Sequence, residues 1–260
     1  MPRFRRWLVF PLLGVYGFLY VPIVILAVLS FNESGLPTAW TGFSTKWYGA
    51  LFSNDLILRG ARTTLVVALG ATVLATIIGT LLALGLERYS RSVLFDAFAI
   101  APAVVPDIVL AIGLLAFYTM IQFTLGTVSV LFAHVTFNIA FVTAVVRTRL
   151  HNFDQQLEEA SLDLGATELR TFFRVTLPLI APGILAAALL SFTLSVDEFV
   201  IAFFTRGAGV ETLPTVIYSM VRFGITPEIN ALAVVLLGLS FTVVVVSQRL
   251  IGLRRVVDNA

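Results

Sequence analysis

This chain is constrained most by its apolar runs, each of membrane-crossing length, which alternate with short segments that hold most of its arginines. A crossing helix needs roughly 20 apolar residues at about 1.5 Å per residue. Runs of that order occupy 7–31, 61–86, 93–122, 128–146, 179–204 and 229–250. The fold expected is an all-α polytopic membrane protein with about six transmembrane helices in a single domain, 1–260. Composition agrees, because charged residues make up 12% of the chain where a soluble domain carries about 25%. Mean hydropathy is +0.98.

Charge placement gives the topology. Arg3, Arg5 and Arg6 precede the first run, which is longer than the roughly 7–15 residues of a signal-peptide core and shows no A-x-A cleavage site. It therefore reads as a retained helix with a cytoplasmic N-terminus. Of the 17 basic residues, all but Lys46, Arg59, Arg62, Arg206 and Arg222 then fall in cytoplasmic segments, the bias that places both termini inside. The segment 32–60, with Trp40, Phe43, Trp47 and Tyr48, is expected to be external and to carry a short interfacial helix. The segment 205–228 is the second external one, with room for a short helix at 217–221.

Several activities are excluded. A net charge of +2 is too small to argue for nucleic acid, cysteine is absent, and two histidines are too few for a histidine metal cluster. Lys46 is the only lysine, so the chain has no G-x-x-x-x-G-K phosphate loop. If ATP drives this protein, another chain binds it.

Ionisable residues inside spans are costly and functional by default. Asp107 directly follows Pro106, about 20 Å from the cytoplasmic end of the third span at 1.5 Å per residue. Pro102 and Pro106 can each kink that helix. Two roles are open for Asp107: a neutral carboxyl capping the backbone freed at a kink, or a group on a solute pathway. Ser195 precedes the adjacent acids Asp197 and Glu198, of which Asp197 lies about 27 Å up the fifth span. Neighbouring helix positions differ by about 100°, so at least one acid can face the interior. His134 and Asn138 sit one turn apart on the fourth span, where a hydrogen bond to a neighbouring helix is expected. Trp47 and Tyr48 are either headgroup anchors or π faces for a cationic solute. The acids and these aromatics together suit a flexible polycation, which leaves water through charge-assisted hydrogen bonds and cation–π contacts.

The stretch Glu158 to Pro178, EEASLDLGATELRTFFRVTLP, is too charged to span. Leu157, Ala160 and Leu164 give a helical apolar stripe opposite the carboxylates. Gly165 breaks it, and a second amphipathic piece with Leu169, Phe172 and Phe173 leads to Leu177-Pro178. Glu159-Ala160-Ser161, three residues, Gly165, nine residues and Val175-Thr176-Leu177-Pro178 resemble the EAA loop of ABC-importer permeases, with Ser161 in place of the second Ala and Val175 in place of Ile. The resemblance continues through Gly42 to Tyr48, Pro106 to Val109, Leu190 to Ser195 with two acids following, Leu213-Pro214, Ile217 to Met220, and Pro227 to Ala233. These are similar to permeases of the spermidine/putrescine (PotC-like) type over nearly the whole chain, with Glu198 where that type has a second Asp.

The resemblance implies a type I ABC-importer permease fold and a transport subunit without enzymatic activity, in the bacterial inner membrane. Glu158, Glu159, Ala160, Ser161, Asp163, Gly165, Leu177 and Pro178 would couple it to an ATPase dimer, which binds the ATP and Mg, leaving this chain without a cofactor or metal. An external solute-binding protein and a second permease, a distinct PotB-like one, complete the implied assembly. Asp107, Asp197, Glu198, Ser195, Trp47 and Tyr48 would line the pathway of a polyamine. The same machine with another cargo (ferric ion, an opine, a cationic amino acid) is the alternative. An ion-coupled secondary transporter would have no need of the loop at 158–178.

Overall fold

The structure, a computed structural model, describes residues 9–35, 40–89, 92–224 and 227–257, the last fifteen of them, 243–257, by backbone alone. Arg3, Arg5, Arg6 and Arg91 lie outside the described residues, as do the side chains of Arg249, Arg254 and Arg255. The helices are α1 (Val9–Leu29), α2 (Lys46–Ser53), α3 (Asp55–Arg88), α4 (Val93–Val104), α5 (Asp107–Met120), α6 (Thr127–His151), α7 (Gln156–Asp163), α8 (Glu168–Thr171), α9 (Leu177–Asp197), α10 (Val200–Thr205), α11 (Leu213–Phe223) and α12 (Pro227–Val257). Among the described residues, α1, α3, α6 and the continuous run Glu168–Asp197 are long and apolar enough to cross a membrane, and the bent pair α4–α5 makes a fifth span if taken as one. The described apolar part of α12, Pro227–Thr242, is shorter, and the sixth expected span continues past it into residues 243–250.

The chain divides into two compact units, Arg59–Val216 and the pair Met1–Leu58 with Ile217–Ala260. In the second of these, α12 packs on α1 and on α2. Pro227 opens α12, where a missing N–H is harmless, and Glu228 in its first turn accepts a hydrogen bond from Asn54 Nδ2 at 2.9 Å. Between α1 and α2 the chain doubles back through an isolated antiparallel bridge, Asn32 to Phe43. Asn32 is fully buried there, its Oδ1 accepting from the Thr41 N–H at 3.0 Å.

In the Arg59–Val216 unit, α3, α6 and α9 share a core of small and branched residues: Ala75 and Ala83, Val142 and Val146, Ile180 and Ala187. Small side chains let helices approach closely where lipid supplies no hydrophobic drive between them. A second core joins α5, α6 and α10 through Ala111, Tyr118, Ala133, Phe137 and Ile201. The loop after α10 presses against the turn after α5 so closely that a Cβ on Gly207 would collide with the Leu125 carbonyl oxygen.

Three expectations change. The third apolar run is two helices at 105° rather than one kinked helix. Pro102 stays inside α4, whereas Pro106 holds Val105 extended at φ −67°, ψ 134° and ends the helix, because the ring of a proline disfavours helical backbone in the residue before it. The fifth run is also interrupted, at Glu198 and Phe199, between α9 and α10. In the segment 205–228 the helix is α11, starting four residues earlier than Ile217, at Leu213.

Candidate functional site

The loop between α6 and α9 is held by its own polar residues. Helix α7 ends in a complete Schellman turn: the Gly165 N–H donates to Leu162 O at 2.8 Å and the Ala166 N–H to Ser161 O at 3.1 Å. Gly165 itself sits at φ +82°, the left-handed region a glycine adopts without strain. Thr167 then caps α8, its side chain accepting from the Arg170 N–H. A π-helical turn, Phe172–Thr176, widens the chain just ahead of Pro178, whose ring would otherwise crowd the carbonyl four residues back.

On the inner side of α7, Glu158 Oε1 accepts hydrogen bonds from Arg88 Nη2 and from Thr176 Oγ1. One turn on, Ser161 Oγ and Thr171 Oγ1 are 2.9 Å apart. Thr171 and Thr176 are buried. Arg88, Tyr89, Glu158, Leu162, Glu168, Thr171, Phe172 and Thr176 line a cavity of about 200 Å³ between the loop and the end of α3. The outer side is different in kind. Glu159 and Asp163 face solvent, as do Leu157, Leu164, Leu169 and Phe173, with Leu164 89% exposed. The Leu157, Ala160, Leu164 stripe is therefore uncovered by this chain, and the body-facing side of α7 is its polar one. A partly exposed ion pair and paired hydroxyls position the loop, leaving an apolar, acid-rimmed surface of the kind that marks an interaction site. Behind it, Arg147 donates to Asp96 at 2.8 Å and to Glu87 at 3.4 Å, tying together the C-terminal ends of α3 and α6 and the start of α4.

The two helix breaks bring the acids of the spans together. Asp107 is the first residue of α5, and α5 packs on α10, which follows Asp197 and Glu198 directly. Asp107 and Glu198 lie within electrostatic reach of one another. Glu198 Oε1 accepts from the Ile201 N–H at 2.9 Å at the start of α10, while Asp107 and Asp197 are exposed. Broken helices put carboxylates and free backbone groups at one point inside a bundle, a common construction for ion and solute sites in transporters. Ser195 is buried, with its Oγ 2.7 Å from His134 Nδ1. In the other unit, Trp47 donates its indole N–H to Asn32 O at 2.7 Å, and Lys46 Nζ stands 4.9 Å over its ring. Tyr48 shares a hydrogen bond with Ser30 Oγ at 2.8 Å and stacks tilted on Phe31. Among the described residues no group of three or more His, Cys, Asp or Glu is arranged to hold a metal ion.

With this geometry in view, the model of the family described as "binding-protein-dependent transport system inner membrane component" matches residues 75–256. The chain belongs to this family. Membership makes it a transport subunit, not an enzyme, and one that depends on a separate binding protein. The chain is 44% identical over 237 residues to the spermidine/putrescine transport system permease protein PotC of Escherichia coli K12, covering 90% of each. It is 42% identical over 241 residues to the putrescine transport system permease protein PotI of the same strain, covering 89% of this chain and 86% of that one. PotC of Haemophilus influenzae is 42% identical over 90% of this chain and 92% of its own. Among solved structures, a chain of a bacterial ABC transporter that imports the acidic polysaccharide alginate superposes with a TM-score of 0.70 at 16% identity, covering 95% of this chain and 96% of that one. A chain of the inward-facing MetNI methionine ABC transporter gives 0.63 at 20%, covering 75% and 94%. The fold of this binding-protein-dependent component is accordingly that of ABC-importer permeases, all-α as its apolar runs require.

Reading residues in order could not reveal Arg88, Thr171 and Thr176 as the anchors of the loop. Their partners lie 70, 10 and 18 positions away. The only hint was an arginine at the very end of a span.

Proposed function

We propose that this chain is a permease subunit of an ATP-driven polyamine importer in the bacterial inner membrane, with both termini cytoplasmic. Its 44% identity to the spermidine/putrescine permease PotC over nine-tenths of both chains carries this reading. A distinct, PotB-like permease would complete the pathway, an external binding protein would deliver the solute, and an ATPase dimer would hold the ATP and Mg. This chain would contribute no cofactor of its own.

In this mechanism the outer face of α7 and α8, with Glu159, Asp163, Leu164 and Leu169, seats on the ATPase. Glu158, Ser161 and Gly165 keep that face in position, and Leu177-Pro178 starts the helix that receives the motion. ATP binding shifts the population between inward- and outward-facing states only by its differential affinity for them. Asp107, Asp197 and Glu198 serve as way stations for the ammonium groups, with Ser195 buried behind them. Trp47 and Tyr48 offer ring faces, the substrate cation taking the place of Lys46 over Trp47. Binding at the acids is weak and transient, because affinity comes from the binding protein.

PotC and PotI differ in the polyamines their names record, so both cargoes belong in the test. Vesicles containing the whole importer should take up labelled spermidine or putrescine on ATP addition, and the Asp107→Asn/Asp197→Asn double variant should lose that uptake while assembling normally. Undiminished uptake by the variant would remove the acids from the pathway. An importer whose ATPase responds only to a differently loaded binding protein would keep the machine and discard the polyamine.

A further inference from the structure

The acids of the spans sit at helix ends, and a helix end is a loose place to hold a charge. The last four carbonyls of a helix have no partner within it, so its final turn opens more easily than its middle. Asp197 is the last residue of α9, and Glu198 follows in extended backbone at φ −71°, ψ 111°. Asp107 is the first residue of α5. Local backbone alone does not fix how far apart these carboxylates stand.

Helix α6 supplies what those turns lack. It is more enclosed than the other unbroken spans among the described residues, with 56% of its apolar stretch buried against 33% for α3 and 22% for the run that ends in α9. It grips the acid-bearing segment on both sides of the break. Before the break, His134 Nδ1 and Ser195 Oγ share a hydrogen bond at 2.7 Å, two residues short of Asp197. After it, the Ser129 hydroxyl reaches Thr205 O at 2.7 Å, at the end of α10. Helix α5 is tied to the same frame, since Tyr118 Oη donates to Ser129 O at 3.2 Å. His134, Ser195, Ser129 and Thr205 are all buried. The His134 ring stands edge-on to Phe137, with centroids 5.8 Å apart, and Phe137 packs with Ala111 of α5 and Ile201 of α10 in one core. The imidazole is thus wedged between its bond to α9 and the core that joins α5 to α10.

We propose that His134 is a positioning residue of the transport pathway: its bond to Ser195, with the Ser129–Thr205 bond beyond the break, sets the spacing of Asp197 and Glu198 from Asp107. This role rests on the reading of those acids as way stations for the cargo. Ser195 then acts by holding α9 to α6, not by touching the cargo. A cation is handed from one carboxylate to the next only while their spacing is kept, and a misplacement of about 1 Å is enough to cost much of the rate in a constellation of reacting groups.

The chain has no cysteine, so the spacing can be measured directly. In the assembled, ATP-free importer, an Asp107→Cys/Asp197→Cys pair is bridged with bifunctional thiol reagents of graded length, and the linked peptides of this chain are read by mass. One reagent length should dominate. Adding His134→Leu should spread linking over several lengths, and His134→Asn, whose amide nitrogen takes the place of Nδ1, should restore the single length. Ser195→Ala removes the same bond from the other side and should act as His134→Leu does, which keeps the test decisive if the leucine variant fails to assemble. With the native acids in place, His134→Leu should lower turnover per assembled importer several-fold at saturating loaded binding protein, and His134→Asn should recover it. Linking that stays at one length in both His134→Leu and Ser195→Ala overturns the proposal, even if turnover or melting temperature falls, because the bond is then only a structural tie. Spread linking with unaltered turnover supports the positioning and removes the acids from the pathway instead.

Discussion

Two adjacent glutamates of the loop should fail in different ways. Glu158 is bonded to Arg88 and Thr176, whereas Glu159 is exposed and makes no side-chain hydrogen bond or ion pair among the described residues. The Arg88–Glu158 side chains are 31% and 18% exposed, so the pair lies between a surface ion pair, worth about 0–1 kcal/mol, and a buried one, whose disruption costs about 3–5 kcal/mol. We assign it about 1–2 kcal/mol, and the buried Thr176 hydroxyl left without its acceptor adds about 1 kcal/mol. At about 2–4 °C per kcal/mol for a chain of this order, Glu158→Ala should lower the melting temperature of the assembled importer by roughly 4–12 °C. Glu159→Ala, a surface change worth within about 0.5 kcal/mol, should leave it within about 2 °C and still abolish ATP-dependent uptake. Adding Arg88→Met to Glu158→Ala should cost little more, since the partner is already gone. Thermal unfolding and vesicle uptake on the same preparations decide it. Equal melting shifts for the two single variants, or none for Glu158→Ala, would refute the division of the loop into an inner holding side and an outer docking side.

Gly165→Ala should cost about 1 kcal/mol through backbone strain alone, because nothing lies within 4 Å of the added Cβ. Gly165→Asn should cost less, since Asn tolerates the left-handed region, and equal losses would argue against a conformational cause. Gly207→Ala should be far worse than Gly126→Ala in thermal unfolding, as its Cβ would strike the Leu125 carbonyl while that of Gly126 meets nothing within 4 Å. Arg147→Met should loosen the C-terminal ends of α3 and α6 and the start of α4 together, seen as faster hydrogen exchange at residues 85–98 and 145–151. Exchange unchanged there would mean that the ties to Asp96 and Glu87 hold nothing.

The sequence by itself determined the helical class, the approximate position of each apolar run and the bipartite loop. These rest on local physics: an apolar run must satisfy its own backbone in lipid, acids and arginines cannot lie in it unaided, and Gly165 followed by a second amphipathic piece can only turn. The spacing from Glu159 to Pro178 also pointed to the family, because that motif is continuous in sequence. Tertiary structure decided which way the loop faces. Periodicity identified the Leu157, Ala160, Leu164 stripe but assigned it no partner, and only the long-range anchors Arg88, Thr171 and Thr176 turn the polar side inward. It likewise decided that Pro106 ends a helix at 105° instead of bending one, since a proline's local effect is the same in either case and the packing of α5 on α10 selects the outcome. The electrostatic reach between Asp107 and Glu198, 91 residues apart, belongs to that packing too. No local pattern encodes which helix faces will meet across a bundle.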